Sequence, residues 1–232
     1  MKICGLQKTT LIDFPGKIAC TIFLSNCNFR CGFCYNADLV FDKLEFFTEE
    51  YILDFLDKRK DKLEGVCISG GEPLLTLEKD FVKKIKEMGY LIKIDTNGSF
   101  PEKLNQLILD GSVDYVAMDI KNSREKYNLT CGVNIDLKKI EKSIKIISSL
   151  ENYEFRTTIV SDLHNNEDIK KIGEWLFSLI NKKPKNYFLQ GFKHDGVFID
   201  EKYSSFFDTK LSDLELMKKV ALPYFESVNI RV

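Results

Sequence analysis

The chain is short of histidine, of charge of one sign and of long apolar runs. Its two histidines, His164 and His194, lie more than a hundred residues from its densest group of cysteines, so imidazole from the same stretch cannot complete a ligand set there. With 34 basic against 35 acidic residues, and lysine and glutamate interleaved along helical stretches, no excess of basic charge faces a phosphate backbone. A nucleic-acid partner is therefore not expected. No apolar stretch reaches the roughly eighteen residues that a membrane span needs, and Met1–Gln7 lacks the charged start, apolar run and cleavage site of a signal peptide. A cytoplasmic protein with no membrane partner is the expectation. There is no low-complexity run and no linker, and 232 residues with 44% hydrophobic content suit one large domain, residues 1–232.

Cysteine, in contrast, is plentiful and unevenly placed. Three of the seven fall in Cys27-Asn-Phe-Arg-Cys31-Gly-Phe-Cys34-Tyr35, directly after the β-prone run Ile18–Leu24. An odd count gathered in one loop fits a reducing compartment and metal ligation better than a disulfide framework. Soft thiolates at this density select zinc, copper(I) or an iron–sulfur cluster. A structural zinc normally takes four ligands, and here the fourth is missing. Three thiolates on a cubane cluster would leave one iron open to a substrate or cofactor. Cys20 and Cys67 sit inside apolar strand patterns and read as small buried hydrophobes; Cys4 and Cys131 have no assigned role.

Hydrophobic periodicity gives strands alternating with helices. A lead-in hairpin is expected over residues 1–17. The βα core, residues 18–190, has strands at 18–24, 65–69, 90–95, 114–119, 153–160 and 186–190. Helices between them are expected at 48–58, with Thr48 as N-cap, and at 77–88, 101–109, 137–150 and 167–180. A C-terminal extension, 191–232, adds a helix and a final strand. Six βα repeats imply a parallel sheet with right-handed crossovers, either an open doubly wound sheet or a partly closed barrel.

Ligands of parallel α/β folds bind beyond the carboxyl ends of the strands, and there the residues richest in chemistry fall. After the first core strand come the cysteines; after the second, Ser69-Gly70-Gly71-Glu72-Pro73; after the third, Asp95-Thr96-Asn97-Gly98. The fourth ends in Asp119-Ile-Lys121, the fifth carries Arg156 and the sixth ends in Gln190. Gly70-Gly71 lets backbone approach a ligand closely, although a plain turn would use glycines too. Lys121 and Arg156 are cations on apolar strands, where burial demands an anion; surface salt bridges are the plainer alternative. Asp-Thr-Asn-Gly is also good turn chemistry, so Asp95 could be a loop carboxylate.

The cysteine spacing, with aromatic Phe33 before the last thiol, resembles the signature loop of the radical S-adenosylmethionine (SAM) superfamily. The resemblance implies a partial (β/α)6 TIM-like barrel and a four-iron, four-sulfur cluster on Cys27, Cys31 and Cys34, with SAM on its open iron. Glu-Pro after Gly-Gly, then Asp-Thr-Asn-Gly, then Met-Asp-Ile-Lys is similar to the activating enzymes of glycyl-radical enzymes. It implies cofactor contacts at Phe33, Tyr35, Gly70, Gly71, Glu72, Asp95, Asn97, Asp119, Lys121, Arg156 and Gln190, and a monovalent cation held by the two aspartates beside the SAM carboxylate. Leu6–Gly16, Cys-Asn-Phe-Arg-Cys and Phe188-Leu-Gln-Gly-Phe192 narrow the likeness to the branch that activates anaerobic ribonucleoside-triphosphate reductase, with flavodoxin or ferredoxin as electron donor. Asn26 departs from the glycine common before the first cysteine, and the histidine that completes the cation site of pyruvate formate-lyase activators has no match unless Gln190 or His194 substitutes. Alternatives are a pyruvate formate-lyase-type activase, a deazapurine synthase-like enzyme acting on a small molecule, and a zinc-stabilised binding module.

Overall fold

A computed structural model describes residues 1–232, which form two compact units. The first comprises Met1–Asn28, Asp38–Thr96 and Glu102–Val116. Its strands are β1 (Ile3–Thr10), β2 (Ala19–Leu24), β3 (Gly65–Gly70) and β4 (Leu91–Thr96), in that order. β2 and β3 pair in parallel from Ala19↔Gly65 to Leu24↔Gly70, and β3 and β4 from Gly65↔Leu91 to Ile68↔Ile94. β2 is almost continuously buried, as a parallel strand covered on both faces should be. Most of α1 (Ala37–Val40), α2 (Glu49–Asp57), α3 (Pro73–Thr76), α4 (Lys79–Glu87) and most of α5 (Pro101–Leu109) belong to the same unit. Thr48 caps α2 as expected, its side chain accepting from Tyr51 N, and Ile52 and Leu56 bury the apolar face.

The lead-in differs from the expected hairpin within residues 1–17. β1 is one strand that pairs antiparallel with β2, from Ile3↔Leu24 to Thr10↔Ala19. Leu11 and Ile12, where a hairpin's second strand would run, lie in the connecting turn and are exposed.

The second unit comprises Phe29–Ala37, Asn97–Pro101 and Ala117–Val232. The chain passes from one unit to the other within β5 (Tyr115–Asp119), then forms α6 (Tyr127–Cys131), α7 (Leu137–Ile147), β6 (Tyr153–Ile159), α8 (Asn166–Ile180) and β7 (Asn186–Gly191). A 3-10 helix at Glu201–Ser205, α9 (Leu211–Ala221) and β8 (Ser227–Arg231) follow. β6, β7 and β8 pair in parallel, Arg156 opposite Phe188 and Gln190 opposite Arg231. α7 buries Ile140, Ile144 and Ile147, and α8 buries Ile169, Ile172 and Leu176, both at helical spacing. β1 pairs on one side only, with β2, and β8 on one side only, with β7. No helix is long and apolar enough to cross a membrane. Neither unit coincides with the segments 1–17, 18–190 and 191–232, because each draws on several separate stretches of chain.

Candidate functional site

In the first unit, the end of β3 is shaped by its two glycines. Gly70 has φ +127°, and a Cβ there would lie 2.2 Å from Leu24 O; at Gly71 a Cβ would lie 2.0 Å from Asn26 O and 3.1 Å from Cys27 Cβ. The backbone approaching these glycines is thus the chain's own, the segment that leaves β2 for the first cysteine. Gly71 N donates to Leu24 O at 3.0 Å and Glu72 N to Asn26 O at 2.8 Å, fixing the stem of the cysteine loop. The Glu72 side chain, fully buried, caps α3 by accepting from Leu74 N at 3.0 Å, and it accepts from Thr96 Oγ1 at 2.8 Å. Asp95 accepts from Ser69 Oγ at 3.1 Å and pairs with the ammonium of Lys93, a residue only 1% exposed on the same face of β4.

In the second unit, the rest of the cysteine loop is held by segments remote in sequence. Arg30 N donates to Cys131 O at 2.8 Å, Asp200 N to Gly32 O at 3.0 Å, Ile199 N to Cys34 O at 3.1 Å and Val197 N to Tyr35 O at 3.2 Å. Gly132, which ends α6 at φ +68°, allows the approach, since a Cβ there would fall 2.1 Å from Arg30 O. Phe33 is buried edge-on against Tyr203, ring centroids 6.2 Å apart, whereas Tyr35 is 51% exposed.

Asp119, Lys121 and Arg156 meet in this unit. Asp119 accepts from Arg156 Nε at 2.6 Å and from Lys121 Nζ at 2.8 Å. Burial works against the Asp119 carboxylate, but the Arg156 and Lys121 cations overcome it and hold the carboxyl well below the usual range. Burial likewise disfavours the Lys121 ammonium, and Asp119 raises its pKa well above that of an ordinary lysine. Arg156 Nη1 also lies 4.0 Å from the buried Glu154 carboxylate, which accepts from Arg231 Nη1 and Nη2 at 2.7 and 2.9 Å, so three cations face two carboxylates and leave a net positive charge, suited to an anion. The Cys31 thiol is lowered, first by a hydrogen bond with Cys131, which outweighs burial, and further by Lys121; burial pushes Cys34 up. Asn97 turns inward, its Oδ1 accepting from Ser99 N at 3.0 Å and Ser99 Oγ at 2.6 Å. Gln190 ends β7, half-buried.

No cysteine is in a disulfide. Cys20 is buried on β2 and its thiol is pushed up to about 12 by burial, the inert behaviour expected of a core cysteine. Cys67 is buried on β3, 3.8 Å from Lys93 Nζ. His164 is held by backbone at both ring nitrogens: Nδ1 accepts from Val160 N at 3.1 Å, leaving the proton on Nε2 to donate to Lys121 O at 2.8 Å. Lys93, Gly132, Cys131 and the 197–200 segment were not singled out by sequence patterns. Of these, only Lys93 carried a signal, a charged residue inside an otherwise apolar strand.

The model of the Radical SAM superfamily matches residues 21–177. Over 99% of its length the chain is 34% identical to a protein of Methanocaldococcus jannaschii provisionally named a glycyl-radical enzyme activating enzyme, covering 95% of that relative. It is 28% identical to the pyruvate formate-lyase-activating enzyme of Listeria monocytogenes, covering 78% of each chain. It is 33% identical to the anaerobic ribonucleoside-triphosphate reductase-activating protein of Haemophilus influenzae over 34% of this chain and 55% of the relative. The crystal structure of QueE from Escherichia coli shares the fold, with a TM-score of 0.62 at 17% identity over 100% of this chain and 93% of that one. Matched by the superfamily model over more than half its length, and by a relative along nearly all of it, the chain belongs to the radical SAM superfamily and, within it, to the glycyl-radical enzyme activating enzymes.

Proposed function

We propose that this chain installs a radical on a glycine of a partner enzyme, and that the partner is an anaerobic ribonucleoside-triphosphate reductase. The family's cofactors are a four-iron, four-sulfur cluster and SAM, and the donor set fits them: three thiols within eight residues of one loop, none in a disulfide. Cys27, Cys31 and Cys34 would hold the cluster. When bound, cluster and SAM supply one-electron cleavage of a sulfonium to a 5′-deoxyadenosyl radical able to take a hydrogen atom from a glycine Cα.

The observation that carries the SAM-binding part of the reading is the excess positive charge of Lys121, Arg156 and Arg231 over Asp119 and Glu154, in the same unit as Cys31 and Cys34. That excess suits the SAM carboxylate. Phe33, Tyr35 and Gln190 would line the cofactor, and the carbonyls of Gly70 and Gly71 would take its ammonium. Glu72 and Asn97, whose side chains bond internally, would act by holding their loops in place. A flavodoxin or ferredoxin is the proposed electron donor.

The reductase assignment draws on Leu6–Gly16, Cys27-Asn-Phe-Arg-Cys31 and Phe188–Phe192. A pyruvate formate-lyase-type partner is the second reading, because those activators align over 78% of this chain. The test is to mix the anaerobically reconstituted, reduced protein and SAM with each partner and record electron paramagnetic resonance spectra. A glycyl signal on the reductase alone supports the proposal; a signal only on the formate-lyase moves the assignment to the second reading. Cys31→Ala should give no signal with either.

A further inference from the structure

The likeness to glycyl-radical activators assigns Asp95 and Asp119 to a bound monovalent cation, and the residues around each do not fit one. In the first unit both oxygens of Asp95 are engaged, Oδ1 by the ammonium of Lys93 and Oδ2 by Ser69 Oγ at 3.1 Å. Lys93 lies two residues before Asp95 on β4, so strand alternation places the two side chains on one face. Its side chain is 2% exposed, its Nζ is 3.8 Å from Cys67 Sγ and 6.0 Å from the centroid of the Tyr115 ring. Such an ammonium cannot move into water without abandoning the Asp95 carboxylate, and separating a buried ion pair is costly. In the second unit Asp119 already carries two cations, Arg156 Nε at 2.6 Å and Lys121 Nζ at 2.8 Å. A further cation at either carboxylate would meet like charge at contact distance.

We infer that Lys93 is this chain's resident cation. A lysine ammonium has the charge of a potassium ion and nearly its size, and as part of the chain it is never lost to solvent. Its bond to Asp95 compensates the charge of the carboxylate, as a bound alkali ion would. The inference rests on the reading that SAM binds to this chain, and it makes that binding independent of potassium and sodium.

The test compares SAM affinity of the cluster-loaded protein in potassium, sodium and tetramethylammonium chloride at equal ionic strength. The natural chain should bind SAM equally, within about twofold, in all three. Lys93→Met removes the ammonium and keeps the apolar stem. In tetramethylammonium it should bind SAM roughly tenfold or more weakly, the loss of one charge-assisted contact, and recover when potassium is added. Should Lys93→Met fail to fold, thallium(I) binding to the natural chain, followed by thallium NMR, decides: no bound thallium is expected. Bound thallium, or a tenfold gain in SAM affinity on adding potassium to the natural chain, overturns the inference. Absence of SAM binding in every salt would instead remove the functional reading, and the thallium measurement would still settle whether Asp95 takes an alkali ion.

Discussion

An alanine at Gly70 would place its Cβ 2.2 Å from Leu24 O in a backbone held at φ +127°. Strain of that kind costs about 1 to 3 kcal/mol by itself, and here the clash is with backbone, which cannot swing aside. Gly70→Ala is predicted to lose at least about 3 kcal/mol of stability, a size reached only by a few structural mechanisms; urea unfolding measures it, and a loss under about 1 kcal/mol would contradict the account. The Gly-Gly pair was legible as a feature of the sequence, but its neighbour was not, since Asn26 lies forty-five residues earlier. Lys93 was legible only in part: two-residue spacing puts it on one face of the strand with Asp95, but nothing local shows that this face is buried.

His164 gives a pH dependence whose sign follows from its surroundings. Burial lowers its pKa below the ordinary 6.5, against hydrogen bonds with Lys121 O and Val160 N. Above pH 6.5 the ring is neutral whether folded or unfolded and its contribution is constant. Below 6.5 the unfolded chain takes up the proton first, so stability falls as pH drops from 6.5 toward the depressed folded value, by no more than about 1.4 kcal/mol per pH unit. Unfolding free energies at pH 7 and 5.5 should differ more in the natural protein than in His164→Gln. Equal slopes would mean that the imidazole is not held neutral.

Among the elements, α8 shows most plainly how a helix start is written locally. Asn165 accepts from Asp168 N at 3.1 Å and Asp168 accepts from Asn165 N at 3.0 Å, a reciprocal cap, with Lys126 Nζ 2.8 Å from the same carboxylate. Asn165→Ala should cost about 1 kcal/mol, seen as a lower thermal midpoint with an unchanged fold by circular dichroism; no shift would mean that the cap is dispensable. The long helices and six strands of the core were readable because buried positions recur at regular spacing. The short α1, α3 and α6 were not, since four or five residues are too few to show a period. β1 was misjudged as half of its own hairpin because its true partner is the first core strand, and pairing is not encoded within the strand itself.

Across the whole molecule, the cysteine loop divides between two compact units, Cys27 with the first and Cys31 and Cys34 with the second. The spacing of the thiols was evident from the sequence. The anchoring of the loop was not, because Cys131, Gly132 and residues 197–200 reach it from about a hundred residues or more downstream. The C-terminal extension is therefore part of what shapes the loop.

The central claim, that this chain takes a hydrogen atom from a glycine of another protein, is tested most directly by isotope transfer. Anaerobic ribonucleoside-triphosphate reductase produced with glycine deuterated at Cα would be treated with the reconstituted, reduced chain and unlabelled SAM, and the 5′-deoxyadenosine analysed by mass spectrometry. The account predicts one deuterium in the 5′-deoxyadenosine, in proportion to the glycyl radical formed. Unlabelled 5′-deoxyadenosine from this reductase and from every other glycyl-radical enzyme offered in the same way would contradict it.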